Sequence, residues 1–279
     1  MKLPISIIII THNEERNIKA CLDSVAGWAD EILVIDSGST DSTREIARLY
    51  TDKIYEHPFE NYASQRNWAQ KELPIRNEWV FHLDADEQVS PKLLSEFCET
   101  FRYGPKVDGY MMPRKTIFRG RWIKYGGHYP SYHLRLFRKD KGRSEERFYD
   151  QHYVVNGRTA MLKGDIVNTV TPDIKALIAR YKVGLEAREI LYNDERTLNI
   201  KLNGTPIERM NWLRYKIYYR APLFIRPVLY FLYRYFLRLG FLDGREGLVF
   251  HFYQGFWFRF LIDMKIVELK YLKNDNTRN

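Results

Sequence analysis

Ile5-Ser6-Ile7-Ile8-Ile9-Ile10-Thr11-His12-Asn13-Glu14 joins an apolar run to a polar cluster. A short β-branched run of this kind suits a strand buried on both faces of a parallel sheet. It breaks off abruptly into polar residues. After it, Glu14–Val25 reads as a helix with Ile18, Leu22 and Val25 on one face. Glu31–Asp36 is a second strand, running into the loop Ser37-Gly38-Ser39-Thr40, after which Asp41 or Ser42 can cap a helix reaching about Tyr50. Lys53-Ile54-Tyr55 is a short third strand, Tyr62–Lys71 a helix and Trp79–Leu83 a fourth strand that ends in Asp84-Ala85-Asp86. Ser90-Pro91 opens another helix, with proline at a favoured first-turn position.

Strands alternating with helices over short connections predict a doubly wound, mostly parallel α/β sheet. Ligands of such sheets bind outside the carboxyl ends of the strands. The polar clusters after the first, second and fourth strands fall there.

The middle of the chain has another texture. Gly109–Arg114 and His133–Arg138 read as strands, separated by a basic, aromatic, glycine-containing loop, Phe118–Tyr132. Tyr153–Val155 and Ala160–Leu162 flank Asn156-Gly157, which predicts a hairpin. Residues 173–196 have the pattern of an amphipathic helix. The expected organisation is a catalytic domain over 1–200, with a nucleotide half to about 104 and an acceptor half over about 105–200. A helical extension covers 201–279.

Of the 279 residues, 45% are apolar and 28% charged, which excludes a disordered chain, a collagen-like fibre and a small disulfide scaffold. The formal charge of +9 is unevenly placed: residues 201–279 hold 14 Lys+Arg against 6 Asp+Glu, and 19 of the 42 aromatic residues. A basic, aromatic tail behind a nearly neutral body points to a phosphate-bearing surface, either membrane or nucleic acid. Cys21 and Cys98 form no motif and fit a reducing compartment. No signal peptide is recognised, and the longest uncharged tail segment, Leu248–Phe258, falls short of the ~20 residues a bilayer crossing needs. The expected location is cytoplasmic, peripheral on the inner face of the membrane.

Asp84-Ala85-Asp86 carries the sharpest chemistry. Two carboxylates at one strand end can face one ligand together, and they need a cation between or near them when desolvated. A hard divalent ion bridging to phosphate is the natural partner, because Mg²⁺ takes one or two carboxylates plus substrate phosphates. Asp36, ending the second strand, can accept hydrogen bonds from a base or a ribose. No G-x-G-x-x-G and no P-loop lysine motif occurs, which argues against dinucleotide redox chemistry and P-loop hydrolysis.

Taken in order, the strand ending in Thr11-His12-Asn13-Glu14, then Ile35–Thr43, Ala63-Ser64-Gln65-Arg66-Asn67 and Leu83-Asp84-Ala85-Asp86-Glu87 resemble the family 2 glycosyltransferases of the GT-A fold. The flavour is that of bacterial enzymes extending lipopolysaccharide cores or other surface polysaccharides. The resemblance is densest over residues 5–100, thinner over 105–165 and loosest in the tail. It implies that Thr11, Asn13 and Glu14 line the nucleotide pocket and that Asp36 bonds the base. Gln65, Arg66 and Asn67 would face the donor. Asp84 would contact the ribose or donor sugar, and Asp86 would bind Mg²⁺ or Mn²⁺ on the diphosphate. The implied donor is a nucleotide-sugar, with UDP-glucose as the default UDP-hexose, and the implied acceptor is lipid-linked or a glycan.

An inverting transferase also needs a base for the acceptor hydroxyl. Glu145, Glu146, Asp150 and His152 are the candidates beyond the Asp84–Asp86 motif. Asp150 is preferred because it directly precedes Tyr153–Val155 and stands among aromatics that can raise its pKa. Glu145 and Glu146 read as part of a solvated charged loop. Arg119–Tyr129 reads as a lid over acceptor or diphosphate, since Arg suits phosphate and aromatic faces suit sugars. Of Arg135 and Arg138, one can face the pocket, and the sequence does not say which. The tail from Asn211 to Lys273, broken by Pro222, Pro227 and Gly240, suits a bilayer interface.

Two other classes fit the chain less well. A sugar-1-phosphate nucleotidyltransferase would carry a glycine-rich basic loop after its first strand, which Thr11–Arg16 is not. A non-enzymatic nucleic-acid binder fits neither the acidic strand ends nor any nucleic-acid motif, so no nucleic-acid partner is expected. The oligomeric state is not legible from the chain.

Overall fold

The structure is a computed structural model and describes residues 2–146, 151–170, 183–192 and 201–276. Asp150, the preferred base, lies outside the described residues, as do the ends of the expected helix 173–196. The chain forms two compact units. Unit 1 comprises 1–115, 131–146 and 151–169, and unit 2 comprises 116–130, 147–150 and 170–279. This division follows packing, whereas the one expected near residue 200 follows composition.

Unit 1 opens with β1 (Leu3–Thr11), α1 (Ile18–Ala26), β2 (Ala29–Asp36), α2 (Thr43–Arg48), β3 (Ile54–Glu56), α3 (Tyr62–Glu72), β4 (Trp79–Asp84), β5 (Glu87–Val89) and α4 (Pro91–Tyr103). The expected parallel core is present in the order β3-β2-β1-β4. Ile5, Ile7, Ile8 and Ile9 are all buried, as a central strand covered on both faces requires. Ile5, Ile7 and Ile9 pack with Phe81, Leu83, Leu93 and Phe97 in one core cluster. Ser90 Oγ accepts from the Leu93 amide at 3.2 Å, the cap that Ser90-Pro91 predicts for α4.

The sheet then turns antiparallel. The strands β6 (Gly109–Phe118), β7 (Arg121–Ile123), β8 (Tyr132–Arg138), β9 (Gly142–Ser144), β10 (Tyr153–Val155), β11 (Thr159–Met161) and β12 (Ile166–Val170) follow. β8 lies antiparallel between β4 and β6, and β12 pairs antiparallel with β5.

Two expectations are corrected here. Asn156-Gly157 does not join a hairpin: β10 pairs with β9, while β11 runs parallel to β6. Asp108 steers the chain away, because its amide donates to the Arg158 carbonyl at 2.8 Å and its carboxylate accepts from the Arg158 amide at 3.0 Å. The first helix starts at Ile18 rather than Glu14. Asn13 takes φ 53, a left-handed conformation that asparagine tolerates, and Glu14–Asn17 form a turn instead.

Unit 2 is built on helices: α5 (Val183–Tyr192), α6 (Pro206–Leu213), α7 (Ile225–Leu232), α8 (Gly244–His251) and α9 (Phe258–Asn276). Wide π turns over Arg214–Tyr218, Tyr233–Leu237 and Phe252–Trp257 extend α6, α7 and α8. Pro227 breaks nothing, since it sits in the first turn of α7, where no amide is needed. The breaks fall at Phe224 and Leu239, both at positive φ. Among the described residues no helix is long and apolar enough to cross a membrane.

Candidate functional site

The strand register brings the polar ends together. Thr11 is the register partner of Asp36 on β2, and Ile10 is the partner of Asp84 on β4. Three neighbouring strands therefore end on one edge, each with its polar cluster.

The first two clusters are stitched to each other. The Asn13 amide donates to Ser39 Oγ at 2.9 Å, and Asn13 Oδ1 accepts from the Thr40 amide at 2.8 Å. The Glu14 amide donates to Thr43 Oγ1 at 2.8 Å, and the Glu14 carboxylate accepts from Asn17 Nδ2 at 2.7 Å. Asp36 is fully buried. Its Oδ2 accepts from the Gly38 and Ser39 amides at 3.1 and 2.9 Å, and its Oδ1 from the Ser39 hydroxyl. Gly38 supplies the positive φ, 79°, that this tight loop needs. Asp36 thus shapes the loop expected to meet the base.

Gln65, Arg66 and Asn67 occupy consecutive positions on α3 and point to three different tasks. Gln65 is buried: it donates to Ser37 Oγ at 2.9 Å and meets His57 Nδ1 at 2.8 Å. Asn67 clasps the backbone of Ser144, accepting from its amide at 2.8 Å and donating to its carbonyl at 3.1 Å. Both amides hydrogen-bond within the protein. Arg66 alone of the three turns to the acidic strand end, donating to Asp84 Oδ1 at 3.0 Å.

Asp84 is gripped from the other side by Arg135 of β8, whose Nη2 lies 2.9 Å from Asp84 Oδ2 and 3.0 Å from Glu87 Oε1. Arg135 and Arg138 are three apart on a strand, so they take opposite faces. Arg135 faces the site, and Arg138 pairs outside with Glu78. Both site guanidinium groups lie over the Tyr153 ring, at 5.2 Å for Arg66 and 5.9 Å for Arg135.

The electrostatics follow from this packing. Burial pushes the Asp84 carboxyl up, but Arg135 and Arg66 outweigh it and hold the group well below the usual carboxylate range. Glu87 behaves oppositely: burial dominates, Asp84 and Asp86 add to it, and the carboxyl is pushed up to about 7 despite Arg135 and Arg114. Burial raises Tyr153 to about 12. Burial together with the two arginines lowers His82, which is neutral at physiological pH. Cys21 donates its thiol to the Asp84 carbonyl at 3.6 Å and is pushed up by burial and the surrounding carboxylates. It is an inert thiol.

Asp84 keeps 28% of its side chain exposed, whereas Glu87 keeps 1%, so Asp84 is the acid of this pair that a ligand can reach. Asp86 is 8% exposed and precedes β5. Among the described residues no three His, Cys, Asp or Glu are gathered to hold a metal. Asp84 is committed to two arginines.

Glu145 follows β9 and meets His152, the residue before β10: its amide donates to the His152 carbonyl at 2.8 Å and its carboxylate accepts from the His152 amide at 3.3 Å. It is half-buried, and Glu146 beside it is exposed. His152 is buried. The expected lid is also tied down, within unit 2. Asp243 accepts from the amides of Lys124 and Tyr125 at 3.1 and 3.0 Å, and Arg234 donates to the Gly126 carbonyl at 2.9 Å. Gly126 has φ 67, and a Cβ there would stand 2.3 Å from the His251 ring. Glu87, Arg135, Tyr153 and Cys21 complete the site beyond the residues expected. Arg135 is one of the two candidate strand arginines and Glu87 closes the Leu83–Glu87 motif, but neither takes an assigned role from the sequence.

The family model described as "Glycosyl transferase family 2" matches residues 6–165. The lipopolysaccharide core biosynthesis glycosyltransferase LpsC of Rhizobium meliloti is 31% identical over 173 residues, covering 58% of this chain and 63% of LpsC. An uncharacterized glycosyltransferase of Rickettsia bellii is 40% identical over 92 residues, 33% of this chain and 31% of that protein. The matches thus span less than two thirds of these relatives' own length. Among solved structures, the mannosyltransferase PcManGT of Pyrobaculum calidifontis, in complex with GDP-Man and Mn²⁺, aligns with a TM-score of 0.51. The alignment covers 96% of this chain and 86% of that one at 14% identity, a likeness of fold.

Proposed function

The chain belongs to glycosyl transferase family 2, and on that premise we propose that it moves a hexose from a nucleotide-sugar, with inversion, onto a lipid-linked or lipopolysaccharide-type glycan. UDP-glucose is the default donor. The similarity to LpsC, named for lipopolysaccharide core biosynthesis, supports an acceptor of that class; handling at the inner face of the cytoplasmic membrane is part of the same proposal. The observation that carries the reading is the alignment of Thr11, Asp36 and Asp84 on three adjacent strand ends.

In this reading the loop shaped by Asp36 and Asn13 receives the nucleotide, with Thr11 and Glu14 beside it. Gln65 and Asn67 position the loop and the neighbouring strand. Arg66 and Arg135 hold Asp84 ionised at the open edge, where it meets the ribose or donor sugar. Asp86 would hold Mg²⁺ or Mn²⁺, which supplies charge stabilisation to the leaving diphosphate. The acceptor oxygen attacks the anomeric carbon, the bond from that carbon to the phosphate oxygen breaks, and the hydroxyl proton passes to the Asp150 carboxylate.

The test is thermal stabilisation by a panel of nucleotide-sugars with and without Mn²⁺ or Mg²⁺. A ligand that binds only the folded chain adds about 2.7 kcal/mol at a hundred times its Kd. One UDP-sugar should stand out, and more so with metal. Stabilisation by none of them overturns the reading.

A further inference from the structure

The segment Ile225–Leu237 is assembled inside out. In α7 and the π turn that extends it, Ile225, Val228, Leu229, Leu232 and Phe236 are exposed, at spacings that place them on one stripe. Arg226, Pro227 and Arg234 are the buried residues. A surface helix of a water-soluble domain does the reverse. The inward arginines are satisfied within unit 2. Arg226 Nε donates to Asp263 Oδ1 at 2.8 Å, and Arg234 donates to the Gly126 carbonyl and, at 2.9 Å, to Gln254 Oε1.

The following turns continue the apolar exposure with Leu237, at 76%, and Leu239, Phe241 and Leu242. The charge along the same stretch of sequence is of one sign. Arg209, Arg220, Arg238 and Arg245 are exposed. Between 209 and 245 the sequence holds a single acid, Asp243, and it is 2% exposed with its carboxylate bonded to the Lys124 and Tyr125 amides. An apolar stripe accompanied by cations and no exposed acid is the signature of an interfacial helix at an anionic bilayer. A second copy of the chain is a poorer fit, because a two-fold contact would set these arginines against each other with no acid to answer them.

We propose that the face formed by Ile225, Leu229, Leu232, Phe236 and Leu237 docks on an anionic lipid bilayer, lying in the plane of the interface. The thirteen residues of this segment make about 20 Å of helix, against about 30 Å of hydrocarbon, so it lies on the membrane without spanning it. The proposal rests on the membrane-side reading of the extension and is independent of which sugar is moved.

The test is co-sedimentation of the full chain with vesicles of phosphatidylcholine alone and of phosphatidylcholine mixed with phosphatidylglycerol. Sedimentation with the mixed vesicles is expected, weakening with salt. Leu229→Glu/Leu232→Glu should cut partitioning about tenfold or more, and Arg220→Gln/Arg245→Gln about fivefold per residue. Neither pair is among the residues of the site, so stabilisation by nucleotide-sugar should be unchanged in both. A lack of that stabilisation in every protein, wild type included, speaks against the transferase reading and not against this one. The proposal is overturned if wild type stays in solution with anionic vesicles, or if the double glutamate variant sediments as wild type does. It is also overturned if light scattering finds a dimer that the glutamates disperse and lipid does not.

Discussion

Arg135 on β8 donates to Asp84 on β4 at 2.9 Å, across two adjacent antiparallel strands. The parallel half of the sheet supplies the acid and the antiparallel half supplies the cation. The same Nη2 reaches Glu87, so one guanidinium serves two carboxylates that would otherwise repel each other.

Arg135→Leu should therefore be among the most damaging single changes in unit 1. Removing one partner of a buried charge network costs about 3–5 kcal/mol, because the remaining charge is left uncompensated. Urea denaturation should show that loss, and Arg135→Lys should recover part of it. Equal stability of Arg135→Leu and wild type would contradict the network.

Glu87 predicts a particular pH dependence. Its carboxyl is pushed up to about 7 from 4.5, so between these values the folded chain holds a proton that the unfolded chain has lost. Its contribution is full below the unfolded value and disappears as pH rises through about 7. Asp84 has the opposite sign, contributing above its ordinary value and losing that contribution as pH falls through its lowered one. Melting temperatures of wild type and Glu87→Gln measured from about pH 5 to about pH 8 should diverge, with wild type gaining on the variant toward low pH. A constant difference across the range rejects the assignment.

Asp86→Ala should abolish transfer while leaving the melting temperature within a few degrees of wild type. Losing several kcal/mol of leaving-group stabilisation corresponds to about a thousandfold in rate. Sugar release from the nucleotide-sugar at saturating metal is the readout, and normal turnover would remove the metal role from Asp86.

Asp150→Asn separates chemistry from binding. As general base it should account for about 10²–10⁴ in rate, with thermal stabilisation by donor unaltered. If Glu145→Gln rather than Asp150→Asn shows that pattern, the base is Glu145.

Asp243→Ala should release the 119–129 loop. It deprives the Lys124 and Tyr125 amides of their acceptor, at about 1 kcal/mol for each hydrogen bond lost. Limited proteolysis should then cut within this loop, which wild type should resist.

The parallel strands were legible because five isoleucines before Thr11 admit one reading, and the polar clusters that end them mark the site. The tight register of β1 with β2 and β4 then does what the spacing implied. The antiparallel half was harder. Asn156-Gly157 has ideal hairpin chemistry, yet Asp108, about fifty residues upstream, captures Arg158 and redirects the strand. Gln65 and Asn67 carried a family pattern that says where they lie and not which way their amides turn. The burial of Glu87 was hidden because its neighbours in sequence are Asp86 and Gln88, while what encloses it comes from β8 and β12.

The Arg135–Asp84 link also bears on how divisible this chain is. A nucleotide half ending near residue 104 contains Asp84 and Glu87 but not Arg135, Arg114 or the Tyr153 ring. Cut there, it would keep two crowded acids with Arg66 as the one remaining guanidinium among those that neutralise them. The boundary that sequence pattern draws between donor and acceptor halves is consequently not a place where evolution or a protein engineer can exchange parts freely: any transplanted partner half has to bring its own arginine to the end of β4.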